Sequence, residues 1–248
     1  MMQVNSSFHG NKFRLYLGSS AFFVGLILST IIMCLLILLV AFLPFKQRYA
    51  LANLWIGFVM WMARVFCGLH YEVEGLENLK SVKTAIILSK HQSAWETLAF
   101  RKILPVHTIV LKESLLWIPF WGWAARLLKP IAIDRESQHA ALRIILNKGT
   151  QYLNEGLWIV IFPEGTRTAP HQFKKFNAGG ALLAQKSGYP IIPIAHNAGT
   201  YWPRYSFLKY PGTIKVKIGE AIITTGRKTN DINAEAEQWI AQAMHDIQ

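Results

Sequence analysis

The chain has 248 residues, enough for one sizeable α/β core with a short appendage. A formal charge of +12 asks for an anionic partner, but the cations are scattered and form no zinc-finger spacing, RNP-like block or basic helix, so nucleic acid is set aside. Acidic phospholipid fits both the charge and the mean hydropathy of +0.25, and two cysteines, Cys34 and Cys67, supply neither a disulfide framework nor a metal spacing.

Residues 20–43 carry no charge, a stretch long enough to cross about 30 Å of hydrocarbon as a helix. Lys12 and Arg14 precede it, and Lys46 and Arg48 follow. It lacks the short apolar core and small-residue cleavage site of a signal peptide, so it is expected to stay as an anchor. A second apolar stretch, residues 49–69, is interrupted by Asn53 and Arg64, and residues 44–48 form a break between the two. A helical hairpin is expected. It crosses the bilayer twice or sinks into one leaflet, unless 49–69 is an ordinary buried helix of the globular part. Trp55, Trp61, Trp117, Trp121 and Trp123 lie in apolar stretches, as expected at a membrane interface. Residues 1–70 are therefore expected to be a membrane-anchoring segment, and residues 71–248 an α/β domain.

From residue 71 the pattern changes. Short, apolar, β-branched runs at 84–89, 107–111, 131–133, 158–162, 191–195 and 213–218 are predicted strands. Helices are predicted over 95–103, 114–128, 138–153, 177–186 and 233–247, with Ser137 capping the third and Leu142, Ile145, Leu146 and Leu153 on its buried side. The alternation implies an α/β fold: a mostly parallel sheet covered by helices, preceded by the hydrophobic helical hairpin.

Functional groups in such sheets collect beyond the carboxyl ends of the strands. The block from Lys90 to Glu96 follows one predicted strand, Lys112 another, Asp134 and Arg135 a third, and Phe162-Pro163-Glu164-Gly165-Thr166-Arg167 a fourth. His91 is the side chain best suited to take a proton near neutral pH. Glu96 lies five residues on, about 140° away in a continuous helix, so the two meet only if His91 sits in a loop and the helix begins near Ser93. The carboxylate then fixes the imidazole tautomer. Read alone, the pair also fits a capped histidine and a first-turn glutamate. Ser93 reads as a helix cap, since no G-x-S-x-G elbow is present. In the second block Gly165 permits a tight turn after Pro163, and the turn amides, the Thr166 hydroxyl and the Arg167 fork can hold phosphate. A surface hairpin with an incidental arginine is the bland alternative. Lys112 and Arg135 are candidate further cations. His196 and Asn197 follow a strand and read as core or loop filler.

These blocks resemble the glycerolipid acyltransferase family, and within it the bacterial 1-acylglycerol-3-phosphate acyltransferases, over residues 71–222. His91 with Glu96 matches the family's H-x-x-x-x-D, with Glu for Asp. Lys112, Leu115, Pro119 and Gly122 match its second block, with Ser114 in place of Glu. Phe162 to Arg167 complete F-P-E-G-T-R, and residues 191–195 match an apolar run with a central proline, Pro193. The resemblance implies an enzyme that moves an acyl group from acyl-CoA or acyl carrier protein to the free sn-2 hydroxyl of lysophosphatidic acid. It implies His91 as base, Glu96 as its partner, phosphate on Lys112, Arg167, Gly165 and Thr166, and Glu164 and Arg135 in support. It implies no metal, no other cofactor and no covalent acyl-enzyme. It places the chain at a bacterial inner membrane, with the catalytic part facing the cytoplasm and anionic lipid beside it. Another lipid acceptor, or a non-catalytic membrane-anchored lipid-binding protein, are the rival expectations.

Overall fold

A computed structural model describes residues 10–247; residues 1–9 and 248, at the two ends of the expected segments, lie outside the described residues. The first helix, α1 (Lys12–Leu39), is capped by Asn11, whose side chain accepts from the Arg14 N–H at 3.2 Å. A short turn leads through Pro44 into α2 (Phe45–Cys67), which stops at Gly68 in the left-handed region (φ 65°). Both helices are long and apolar enough to cross a membrane, and they point to membrane association. They touch closely: a Cβ at Gly18 would stand 2.1 Å from Phe66 O. The predicted hairpin is therefore present.

The two alternatives for the second apolar stretch prove compatible. Tyr49, Ala52, Ile56, Val59, Ala63 and Cys67 recur at three- and four-residue spacing and are buried. Leu54, Phe58, Trp61 and Val65 on the other side are exposed. One helix is both a wall of the core and an apolar outer surface.

The remaining elements are β1 (Leu69–Glu74), β2 (Ile86–Ser89), α3 (Trp95–Ile103), β3 (His107–Lys112), α4 (Trp121–Arg126), β4 (Ile131–Ile133), α5 (Gln138–Asn154), β5 (Trp158–Ile161), α6 (Gly179–Ser187), β6 (Ile191–His196), α7 (Ala198–Tyr201), β7 (Gly212–Ile218) and α8 (Thr229–Ile247). The sheet runs β1-β7-β6-β2-β5-β3-β4, and every pairing is parallel except β6 with β7. Strands β2, β5 and β6 are buried along their whole length, as near-continuous apolar runs require. Val59, Met62, Trp95 and Phe100 pack under one face, with Phe22 of α1 among them. Leu183, Ile240 and Met244 cover the other. The α/β class read from the sequence is the fold observed.

Several local expectations need correction. Residues 114–128 are not one helix. A 3-10 turn (Glu113–Trp117) is followed by Ile118 in an extended conformation, Pro119 and Phe120 at φ 60°, and only then α4. Proline disfavours helical backbone in the residue before it, which ends the first turn there. Strand β1 was not predicted; it pairs with β7, far away in the chain, in register Leu69 to Gly212. Helix α8 begins about one turn before residue 233, at Thr229. Ser137 heads α5, but its side chain makes no cap hydrogen bond. Ile145 and Leu153 are buried as expected, while Leu142 and Leu146 are only half-buried.

Candidate active site

Strands β2, β5, β3 and β4 are parallel neighbours, so their carboxyl ends deliver four segments to one edge in that order: Ser89 to Ser93, Phe162 to Arg167, Lys112, and Arg135. His91 leaves β2 in a loop, and α3 starts at Trp95. Glu96 thus falls in the first turn of α3 and reaches back. Its Oε1 receives His91 Nδ1 at 2.8 Å, Gln92 N at 2.9 Å and Ser93 N at 2.8 Å. The loop start that the five-residue offset demanded is what the chain adopts. Ser93 fixes the entry: its hydroxyl donates to Trp202 O at 2.6 Å and accepts from Trp95 N at 3.1 Å.

The electrostatics define the tautomer. Burial pushes the Glu96 carboxyl up, but the neighbouring His196, the His91 hydrogen bond and the backbone N–H donors outweigh it and hold the group below its ordinary value. An ionised carboxylate only accepts, so His91 carries its proton on Nδ1 and directs a lone pair outward from Nε2. Among the described residues nothing bonds that Nε2. The ring stacks on Phe162, centroids 4.0 Å apart, which ties this imidazole to the second block.

A second connection lies beneath. Lys90 is 1% exposed, and its Nζ pairs with Glu164 Oε1 while donating to Thr168 Oγ1 at 2.9 Å and to Gln172 O at 2.9 Å. Glu164 Oε2 accepts the His91 N–H at 3.1 Å, and Thr168 N donates to His91 O at 2.8 Å. Burial pushes the Glu164 carboxyl upward against the pull of Lys90 and these N–H donors. His196, wholly buried, donates from Nε2 to Lys90 O at 2.9 Å, and burial lowers its basicity. Asn197 joins Ile247 O to Lys215 N. His196 and Asn197 are thus framework, as the sequence reading favoured.

The turn itself is built by Gly165 at φ 69°, whose N–H closes onto Phe162 O at 3.0 Å. Among the described residues, the Thr166 and Arg167 N–H groups and the Thr166 hydroxyl have no hydrogen-bond partner. Arg135 NH1 donates to Gly165 O at 2.6 Å, and Arg204 NH1 donates to Arg167 O. Arg167 makes the third guanidinium at this turn, and its Nε is buried without a partner. Among the described residues no carboxylate pairs with any of the three. Burial, together with the nearby Arg167 charge, lowers the Arg135 pKa. Lys112, half-buried at the end of β3, is also unpaired among the described residues. Sequence reasoning missed Lys90, Thr168 and Arg204. Lys90 opens the first block already singled out and Thr168 directly follows the second; Arg204 carried no local signal. Among the described residues, no group of three or more His, Cys, Asp or Glu is placed to hold a metal.

A cavity of about 260 Å³ lies between α1, α2, α3, β3 and α4. Its walls are mainly apolar, with Ile37, Ile56, Leu98, Ile109 and Ala124 among them. Arg167 lines it at the strand carboxyl edge, and Arg101 and His107 line it near the start of β3.

Comparisons with known proteins agree with this layout. Residues 70–197, which hold every block described except Arg204, match the model of the family described as Acyltransferase. The chain is 44% identical to the 1-acyl-sn-glycerol-3-phosphate acyltransferase of Pseudomonas aeruginosa, over 95% of this chain and 90% of that one. It is 27% identical to the human 1-acyl-sn-glycerol-3-phosphate acyltransferase beta, over 72% of this chain and 65% of that one. In fold it is similar to the crystal structure of the LPA acyltransferase PlsC from Thermotoga maritima, with a TM-score of 0.78 and 21% identity, covering 95% of this chain and 96% of that one. The chain belongs to the acyltransferase family.

Proposed function

We propose that the protein is a membrane-bound acyltransferase that esterifies the free sn-2 hydroxyl of 1-acylglycerol 3-phosphate, giving phosphatidic acid for phospholipid synthesis. One arrangement carries this reading. An imidazole with its Nδ1 fixed by a buried carboxylate and its Nε2 open stands beside a turn where three guanidinium groups lack carboxylate partners. A phosphate at that turn meets Arg167, the free N–H groups of Thr166 and Arg167, and Lys112 from the next strand. The glycerol hydroxyl then reaches His91.

His91 Nε2 takes the hydroxyl proton as the oxygen attacks the thioester carbonyl of acyl-CoA or acyl carrier protein. Glu96 stabilises the imidazolium that forms. The new C–O bond leaves a tetrahedral oxyanion; its collapse breaks the C–S bond, and the proton held on His91 goes to the departing thiolate. The acyl chain lies in the apolar cavity below Arg167. Glu164 and Arg135 serve the turn: Glu164 through Lys90 and the His91 amide, Arg135 through Gly165 O. No resident metal or cofactor enters the scheme. The exposed faces of α1 and α2 sit in the bilayer, which we assign to a bacterial inner membrane with the site facing the cytoplasm. The basic surface meets anionic headgroups there.

The test is product formation from lysophosphatidic acid and each thioester donor by purified enzyme in detergent. His91→Ala is expected to cut turnover by roughly 10²–10⁴-fold in a protein that still folds. Full turnover by a folded His91→Ala enzyme overturns the mechanism. Lipid binding without turnover in the native protein, with both donors, overturns the enzymatic reading.

A further inference from the structure

The cavity holds a cation that the proposed reaction does not use. Arg101 sits in the last turn of α3 and lines the cavity. The NH1 group is shut off from solvent and has no hydrogen-bond partner. Among the described residues Arg101 forms no ion pair and no hydrogen bond. Its guanidinium carbon lies over the ring face of Tyr49, 4.4 Å from the centroid. A ring face returns only part of the hydration a guanidinium gives up on burial. Burial accordingly lowers the Arg101 pKa.

The neighbours do not fill the gap. His107, also lining the cavity, donates from Nδ1 to Pro105 O at 2.9 Å and lies 3.3 Å from the Tyr49 hydroxyl. Burial and the adjacent Arg101 charge push its pKa down to about 4, so it stays neutral and offers no counter-charge. Thr108, the next lining residue, commits its hydroxyl proton to Lys129 O at 2.6 Å. Buried polar groups in native proteins are almost always satisfied, so an isolated cation facing an apolar cavity indicates a ligand that brings its own acceptor.

We propose that the Arg101 end of the cavity is a recognition site for the carboxylate of an aliphatic chain. This rests on the reading of the cavity as the seat of a hydrocarbon. It adds an anionic end group, held by the Arg101 guanidinium, at the end remote from Arg167. Two sources carry that chemistry. A free fatty acid places its carboxylate on Arg101 with its tail toward Arg167, and so occupies the acyl-chain space. Alternatively, an acyl donor whose far end carries a carboxylate instead of a methyl group reaches Arg101 with that end.

The experiment compares the native enzyme with Arg101→Met and Arg101→Gln in non-ionic detergent. Melting temperature is measured with palmitate and with hexadecanol, its uncharged counterpart. Palmitate is expected to stabilise the native enzyme more than hexadecanol, and both variants lose that difference. In turnover assays the inhibition constant for palmitate rises by about tenfold or more in the variants, as loss of a charge-assisted contact requires. In the other arm, turnover with ω-carboxypalmitoyl thioester relative to palmitoyl thioester falls by a similar factor in the variants. A change confined to the first arm assigns the site to free fatty acid; a change confined to the second assigns it to the donor. Variants that match the native enzyme in both arms overturn the proposal. The melting measurement needs no catalysis, so its failure is separable from failure of the acyltransferase reading.

Discussion

Two cations flank α3 and are treated in opposite ways. Lys90, just before the helix, spends all three of its protons on Glu164, Thr168 and Gln172 O. Arg101, in its last turn, has a ring face and nothing else among the described residues. The first arrangement is finished without any ligand, and it fastens two chain segments separated by more than seventy residues. The second is incomplete in the free protein. Where a buried charge is satisfied internally it serves geometry; where it is left bare on a cavity wall it serves recognition.

The contrast breaks most sharply at Lys90. Lys90→Met leaves Glu164 buried without its cation and is expected to lower stability by about 3–5 kcal/mol, read by denaturant unfolding. Lys90→Met combined with Glu164→Gln is expected to recover most of that stability. Turnover stays low in the double variant, because the charged anchor on the His91 amide is gone. Recovery of both would reduce the ion pair to a packing element. An intermediate effect is expected at Arg167, the other guanidinium on the cavity. Arg167→Ala is expected to raise KM for lysophosphatidic acid with a smaller change in kcat, a loss of about 1.5–3 kcal/mol for a hydrogen bond to a charged group. An unchanged KM removes Arg167 from the phosphate site.

The smallest effect belongs to His107 beside Arg101. In the fold it stays neutral down to about 4, against 6.5 for the free side chain. Between those values the unfolded chain binds the proton and the folded one does not, so this group costs stability as pH falls through that window. His107→Gln is expected to flatten that part of the stability profile relative to the native protein. Identical profiles would mean that the ring is already protonated in the fold.

Much of this was legible beforehand because it is local. The parallel sheet follows from short unbroken apolar runs alternating with helices. The His91–Glu96 meeting follows from one condition, a loop before Ser93, and the Gly165 turn follows from a glycine just past Pro163. What stayed hidden depends on pairing across distance. Lys90 reads as a solvated residue until Glu164 is placed beside it. β1, with Glu72 and Glu74 in its short run, becomes a strand only against β7. Arg101 looks like an ordinary last-turn cation, and only the packing of α2 over α3 shows that no acid waits for it. The break at Ile118 was readable from Pro119, yet the apolar run around it reads as one helix.

Because Val59, Met62, Ala63 and Cys67 pack in the same cluster as Ile87 and Trp95, the amino-terminal hairpin is no detachable tether. Cutting at residue 70 to obtain a fragment free of detergent would strip one side from the central sheet and unroof the chamber between α2 and β3. For anyone engineering this enzyme, solubility has to be gained by recolouring the outer faces of the two helices at Leu54, Phe58 and Trp61, not by shortening the polypeptide.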